Sequence, residues 1–200
     1  MKQLKIKLNP LPYPYEGEQK RYEDWGNIKL VYSGNTEIKE ILNFEWNVLP
    51  FIEWYLQIIN ELEKSPPFEV KKNESLAEAL IRQIEIIADC DLENDEDDNY
   101  DILYEFRKNH DLSFGFKGTS IGSLIIGINN GEGEISSTDY DIKIAYQFEI
   151  KEFLKYTLKE CYSFASEWYK LYGSLYETQR ERVRNLQNKI NILSINMTNS

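Results

Sequence analysis

The sequence is poor in the residues on which most catalytic and metal sites depend. Its 200 residues include one histidine, His110, and two cysteines, Cys90 and Cys161. His110 is therefore the single candidate for an imidazole base, and its Asn and Asp neighbours indicate a solvated hairpin turn. Both cysteines fall inside helical patterns, so we expect reduced thiols that face the core and a cytoplasmic location.

Long apolar runs and common catalytic motifs are also missing. No stretch approaches the length that spans a bilayer, so no membrane partner is predicted. Residues 1–8 alternate charged and apolar side chains, which indicates an edge strand and not a signal peptide. The sequence contains no Gly-x-Ser-x-Gly, no phosphate loop ending in Gly-Lys-Ser/Thr and no Cys-x-x-Cys. What remains is 42% hydrophobic and 14% aromatic, enough for the core of one domain over residues 1–200.

The densest strand and turn patterns lie between Asp101 and Ile150. Short segments rich in β-branched and aromatic residues alternate with turns that contain Asn or Gly, which predicts an antiparallel meander. Apolar residues on both faces of 124–128 favour a central strand, with Gly127 at a close contact. The predicted strands are residues 101–106, 112–116, 121–128 and 140–148.

Helical patterns flank this meander. Asn47 and Pro50 predict the start of a first helix, and Ser75-Leu-Ala-Glu78 is a capping box for a second. The longest helix begins at Ile150, and Gly173-Ser174 separates it from a helical extension over 174–200 with a frayed tail. The fold class is therefore α+β, a mainly antiparallel meander packed against two central helices and a long C-terminal helix. The second helix has a predicted buried stripe of Leu76, Ala79, Leu80, Ile84 and Ile87.

Negative charge dominates the composition. The net charge of −11 argues against nucleic acid and anionic membranes as partners. Eight acids and no base lie in residues 89–101, which we interpret as an acidic loop. Its acids fail the calcium-loop spacing in every frame, so neither a metal site nor a cofactor is predicted. The candidate partner-binding residues are Asp91, Glu93, Asp95, Glu96, Asp97, Asp98 and Asp101, with Tyr100 and Tyr104.

Three functions are compatible with this pattern. Carboxylates beside aromatic residues have the composition of a protein interface for a basic partner, although a solvated loop that maintains solubility accounts for the same charges. An acid-x-Lys pair on a strand, Asp141 with Lys143 or Glu149 with Lys151, is the pattern of a metal-assisted hydrolase or nuclease. A stripe of Val183, Leu186 and Ile190 favours an oligomeric structural protein, and the oligomeric state stays open.

The segment Asp91-Leu-Glu-Asn-Asp-Glu-Asp-Asp98, beside a tyrosine-rich sheet in a small acidic α+β chain, resembles the immunity proteins of bacterial toxin-immunity systems. The resemblance is to this general type, and it covers the composition and this segment. It implies a non-enzymatic protein that neutralises a cognate toxin, often a basic nuclease, by covering its active site. The carboxylates would then take the place of substrate phosphates.

Overall fold

The computed structural model describes residues 2–14, 24–89, 97–139, 144–174 and 177–198, without the side chains of residues 89, 97–99, 177, 178 and 198. These ranges contain two three-stranded antiparallel sheets and five α-helices, which confirms the α+β class. The strands are β1 (Gln3–Pro10), β2 (Trp25–Ser33), β3 (Ile38–Asn47), β4 (Ile125–Asn129), β5 (Glu132–Ser137) and β6 (Ile144–Phe148). The helices are α1 (Leu49–Ile58), α2 (Leu76–Asp89), α3 (Asp97–His110), α4 (Ile150–Tyr172) and α5 (Glu177–Thr198).

The chain divides into two compact units. Unit 1 combines Met1–Gln57 with Lys151–Ser200, and unit 2 is Ile58–Ile150. The single domain over residues 1–200 stays a prediction. No helix in the described ranges is long and apolar enough to cross a membrane.

Unit 1 contains the sheet β1-β2-β3, in which β1 is an edge strand as predicted. Leu4, Ile6 and Leu8 of β1 are buried, and they lie opposite Tyr32, Leu30 and Ile28 of β2. The backbone amide of Leu49 donates to Asp24 Oδ2 at 3.1 Å, so the side chain that caps α1 comes from Asp24. Asn47, the predicted cap, instead ends β3.

Helices α4 and α5 supply the rest of the core of unit 1. The Tyr55 hydroxyl donates to the Leu154 carbonyl oxygen at 2.8 Å, which joins α1 to α4. The predicted buried thiol is confirmed for Cys161, whereas Cys90 lies outside the described residues. Helix α4 ends before Gly173 as predicted, but regular helix in α5 continues past Asn191 to Thr198, where a frayed tail was expected.

Unit 2 contains an antiparallel meander with the strand order β4-β5-β6, but its central strand β5 was not among the predicted strands. Asn130 and Gly131 both have positive φ, 51° and 88°, and form a two-residue turn between β4 and β5, where the sequence predicts a turn that contains Asn and Gly. The prediction that 124–128 forms a central strand is wrong, because β5 occupies the centre. Ile125 is nevertheless buried at this edge, because it packs in a core cluster with residues of α2 and α3.

Two of the predicted strands in unit 2 are helical. Residues 101–106 belong to α3, and 112–116 begins with a 3₁₀ turn at Leu112–Phe114. The helix is favoured because Leu103, Phe106 and His110 recur at i, i+3 and i+7 and are all buried.

Helix α2 begins as the sequence predicts. The Ser75 amide donates to Glu78 Oε2 at 2.9 Å, and the Glu78 amide donates to Ser75 Oγ at 3.3 Å, which confirms the capping box. Leu76, Ala79 and Leu80 are buried and Ile87 packs against the same core cluster, but Ile84 is exposed, so the predicted buried stripe is wrong at Ile84.

Candidate functional site

The acidic segment predicted to bind a partner is described only at its end. Asp91, Glu93, Asp95 and Glu96 lie outside the described residues. Asp97 and Asp98 begin α3, and their side chains are not described. Asp101 also belongs to α3, so residues 97–101 form the first turns of a helix instead of the predicted loop. Tyr100, Asp101 and Tyr104 are the three predicted site residues with described side chains.

One side of α3 is fixed in the core of unit 2. Leu103 and Phe106 pack in the buried cluster with Leu76, Leu80 and Ile125. The Phe106 ring also meets the edge of the Phe68 ring, with 4.9 Å between the centroids. This buried side sets which residues of α3 face solvent.

The opposite side of α3 carries two exposed tyrosines and two acids. Tyr100 and Tyr104 are one helical turn apart, with 58% and 48% of their surface accessible. Asp101 and Glu105 are also exposed, one turn apart, on the side of α3 away from Leu103 and Phe106. Glu105 accepts from Lys108 Nζ at 2.9 Å in an exposed ion pair. We call these four residues the α3 surface. Tyr104 is supported by an edge contact with Phe114, with 6.4 Å between the ring centroids.

Other aromatic residues of the predicted strands 101–106, 112–116 and 140–148 are less exposed than Tyr100 and Tyr104 or are not described. Phe106 and Phe116 are buried and cannot contact a partner. Phe114 and Tyr146 are half-buried, and Tyr140 lies outside the described residues. The candidate site therefore has fewer exposed aromatic side chains than the sequence suggested.

Exposed isoleucines on α2 are a feature that the sequence analysis missed. Ile81, Ile84 and Ile86, in the middle and later part of α2, are each at least about a third exposed. The sequence predicts Ile84 in the buried stripe, because helical spacing alone does not distinguish an apolar residue that faces the core from one that faces solvent.

Charge is divided unequally between the two units. Unit 2 contains 8 Lys and Arg against 21 Asp and Glu, a net charge of −13. Unit 1 contains 15 Lys and Arg against 13 Asp and Glu, a net charge of +2. The negative charge of the chain therefore belongs to the unit that carries the α3 surface.

His110 lies at the end of α3 and is only 4% exposed, so the prediction of a solvated turn is wrong. Its Nδ1 is 2.9 Å from the Phe106 carbonyl oxygen, which can only accept, so Nδ1 carries the proton. Burial lowers the pKa of the imidazole, which keeps it neutral. A Cβ added at Gly127 would lie 2.9 Å from the ring, which explains the glycine and confirms the predicted close contact.

Two buried acids of unit 2 have structural partners. Asp111 accepts from Ser123 Oγ at 2.6 Å and from the Ser113 amide at 3.0 Å. Glu134 accepts from the Leu76 amide at the start of α2 and from Asn129 Nδ2, both at 2.7 Å. Their oxygens are occupied by donors of the protein itself, so these carboxylates position α2 and the turn after α3.

One of the two acid-x-Lys pairs lies in the part of the chain that the structure describes, and it is not on a strand. Asp141 and Lys143 lie outside the described residues. Glu149 follows β6 and Lys151 lies in the first turn of α4, so this pair is at a helix start. Among the side chains that the structure describes, no three His, Cys, Asp or Glu residues come together as a metal-ligand set.

The stripe considered for self-association belongs to the interior. Val183, Leu186 and Ile190 are almost completely buried in unit 1. They are therefore not available as the contact surface for a second copy.

Comparison with known proteins gives no match: no protein-family model, no curated protein and no solved structure matches this chain.

Proposed function

We propose that this chain is a non-enzymatic, protein-binding protein of the immunity type, which neutralises a basic bacterial toxin in the cytoplasm. The observation that supports this proposal is the α3 surface, where Tyr100 and Tyr104 are exposed beside Asp101 and Glu105 on a helix whose other side is buried. The helix presents these side chains in a fixed arrangement, which reduces the entropy lost on binding.

The two kinds of side chain have different parts in the proposed complex. Tyrosines are frequent anchors at protein interfaces, because they bury a large area and can still donate a hydrogen bond. The net charge of −13 on unit 2 attracts a basic protein over longer distances and disfavours acidic competitors. The carboxylates would occupy the positions of substrate phosphates in the toxin.

The test is to capture the partner from cells of the source organism with the tagged full-length chain at about 50 mM salt. We expect one basic protein that is released when the salt is raised to about 500 mM, because screening acts most strongly on exposed charge. The captured protein is then titrated with the chain in an assay of its own activity. Inhibition that is complete at one chain per partner supports the immunity type, and undiminished activity of the bound partner contradicts it.

Paired substitutions separate the contributions that the tyrosines and the acids of the α3 surface make to binding. Tyr100→Ala with Tyr104→Ala should weaken binding by about 100-fold, as expected for two interface anchors. Tyr162→Ala, which changes an exposed tyrosine of α4 in unit 1, is the matched control. Asp101→Asn with Glu105→Gln should slow association, whereas Glu152→Gln with Glu181→Gln on unit 1 should not. Equal effects of test and control pairs would refute the α3 surface as the binding site.

A further inference from the structure

Unit 1 contains a cleft between α1 and α5. Its volume is about 310 Å³, which is within the range of small-molecule sites. Residues 53, 56 and 57 line it from α1, and residues 182, 185, 186 and 189 line it from α5. Both sets have the spacing of one helix face, so the cleft is formed by two facing stripes. It does not involve the α3 surface, which belongs to the other unit.

An ion pair occupies one end of the cleft. Arg182 Nε and Nη2 donate to the two carboxylate oxygens of Glu53, each at 2.6 Å. This bidentate geometry uses both oxygens of Glu53, and it cancels the charge of Arg182. The pair therefore holds the two helices together without leaving a net charge for a ligand.

Lys189 is the lining residue whose charge is not compensated. Its side chain is exposed, and in the described ranges it has neither a hydrogen bond nor an ion pair. Asp24 is the other carboxyl that interacts with Arg182, but it is buried and does not line the cleft. The free charge at the surface of the cleft is therefore positive.

The remaining lining residues add donors and an apolar contact. Gln57 and Asn185 are exposed, and their amide groups can each donate hydrogen bonds to an oxyanion. Leu56 is half-buried and lines the cleft beside the edge of the almost completely buried Leu186, so most of the aliphatic surface of the cleft comes from Leu56. A cation, amide donors and two leucines are complementary to a small amphipathic anion.

We propose that this cleft binds a small organic anion, with its carboxylate or phosphate group at Lys189 and the amides of Gln57 and Asn185. A short aliphatic portion of the ligand packs against Leu56 and Leu186. This binding activity is separate from capture of a protein partner by unit 2, and its test does not depend on the partner.

The experiment is an NMR titration of the ¹⁵N-labelled full-length chain with butyrate and with butyl phosphate, at constant ionic strength. We expect saturable shifts of the backbone amides of Gln57, Asn185 and Lys189. A stronger response to butyrate assigns the site to carboxylates, and a stronger response to butyl phosphate assigns it to phosphates. Butylamine, a cation of similar size, should produce no saturable shift.

Two lysine variants complete the test. Lys189→Ala should weaken binding about tenfold, as expected when one charged hydrogen bond is lost. Lys159→Ala removes another exposed positive charge, from α4 and outside the cleft, and should leave the affinity unchanged. Shifts that do not saturate, or equal affinities of the two variants, would overturn the proposal. Lys189 is exposed, so circular dichroism should show both variants folded.

Discussion

The imidazole of His110 stacks on the ring of Phe106, one helical turn earlier in α3, with 4.0 Å between the centroids and 16° between the planes. Burial lowers the pKa of His110, and the backbone carbonyls of Phe106 and Glu61 only partly oppose this effect. In an unfolded chain the imidazole has a pKa of about 6.5. The unfolded state therefore binds a proton more readily than the folded state does.

This difference predicts that the free energy of unfolding decreases as the pH falls below about 6.5, because protonation of His110 favours the unfolded chain. His110→Phe removes the titrating group and keeps an aromatic ring in the core. Urea unfolding between about pH 5 and pH 7.5 should show a shallower dependence for the variant, by up to one proton, or about 1.4 kcal/mol per pH unit. Parallel curves for the two proteins would contradict this role of His110.

Gly127→Ala should destabilise unit 2. The added Cβ would lie 2.9 Å from His110 Cδ2, and the ring cannot move freely because it is stacked in the core. We expect a loss of about 1–3 kcal/mol, typical of overpacking. Denaturant unfolding checks the value, and the same substitution in a His110→Ala background is the control. The cost should be smaller in that background, since the clash partner is absent.

Glu134→Gln should also lower stability, by about 1–3 kcal/mol. Glu134 accepts hydrogen bonds from Leu76 and Asn129 through both carboxylate oxygens, and a glutamine side chain would turn a donor towards one of these donors. The change also removes negative charge from the start of α2, where the helix dipole favours it. Glu132→Gln, on an exposed residue of the same strand, should be nearly neutral. Thermal unfolding of both variants distinguishes the buried network from a general charge effect.

Cys161 should resist alkylation in the folded protein. Its thiol is buried in α4, and burial raises the pKa, so the reactive thiolate is scarce and shielded from reagent. We expect iodoacetamide at about pH 8 to leave the Cys161 peptide unlabelled until denaturant is added. Peptide mass spectrometry separates this site from Cys90. Rapid labelling of Cys161 under native conditions would show that unit 1 opens readily.

Local signals predicted the parts of the fold that depend on neighbouring residues. Ser75 and Glu78 form their capping box within one turn, and Asn130-Gly131 adopts the positive φ that few other residues tolerate. The alternation in β6 likewise gives a buried Ile144 and an exposed Ala145. In these cases the chemistry that decides the structure lies within a few residues.

Long-range packing decided the parts that the sequence did not predict. Ile102, Tyr104 and Phe106 alternate as in a strand, but burial of Leu103, Phe106 and His110 favours the helix. The sequence predicts Tyr100 and Tyr104 as site residues, but it does not predict that they share one face. They do so because residues 97–110 are helical. The cap of α1 by Asp24 joins residues far apart in sequence, so no local pattern indicates it.

The arrangement of the two units along the chain has a consequence for synthesis. Unit 2 is one continuous stretch, Ile58–Ile150, whereas unit 1 combines both ends of the chain. All of unit 2 is synthesised before α5, which supplies Val183, Leu186 and Ile190 to the core of unit 1. Unit 1 must also close the long segment between its two halves, at an entropic cost that grows only slowly with length. Unit 2, which carries the negative charge, can therefore fold first. The N-terminal part of unit 1 can complete its core only after α5 has been synthesised.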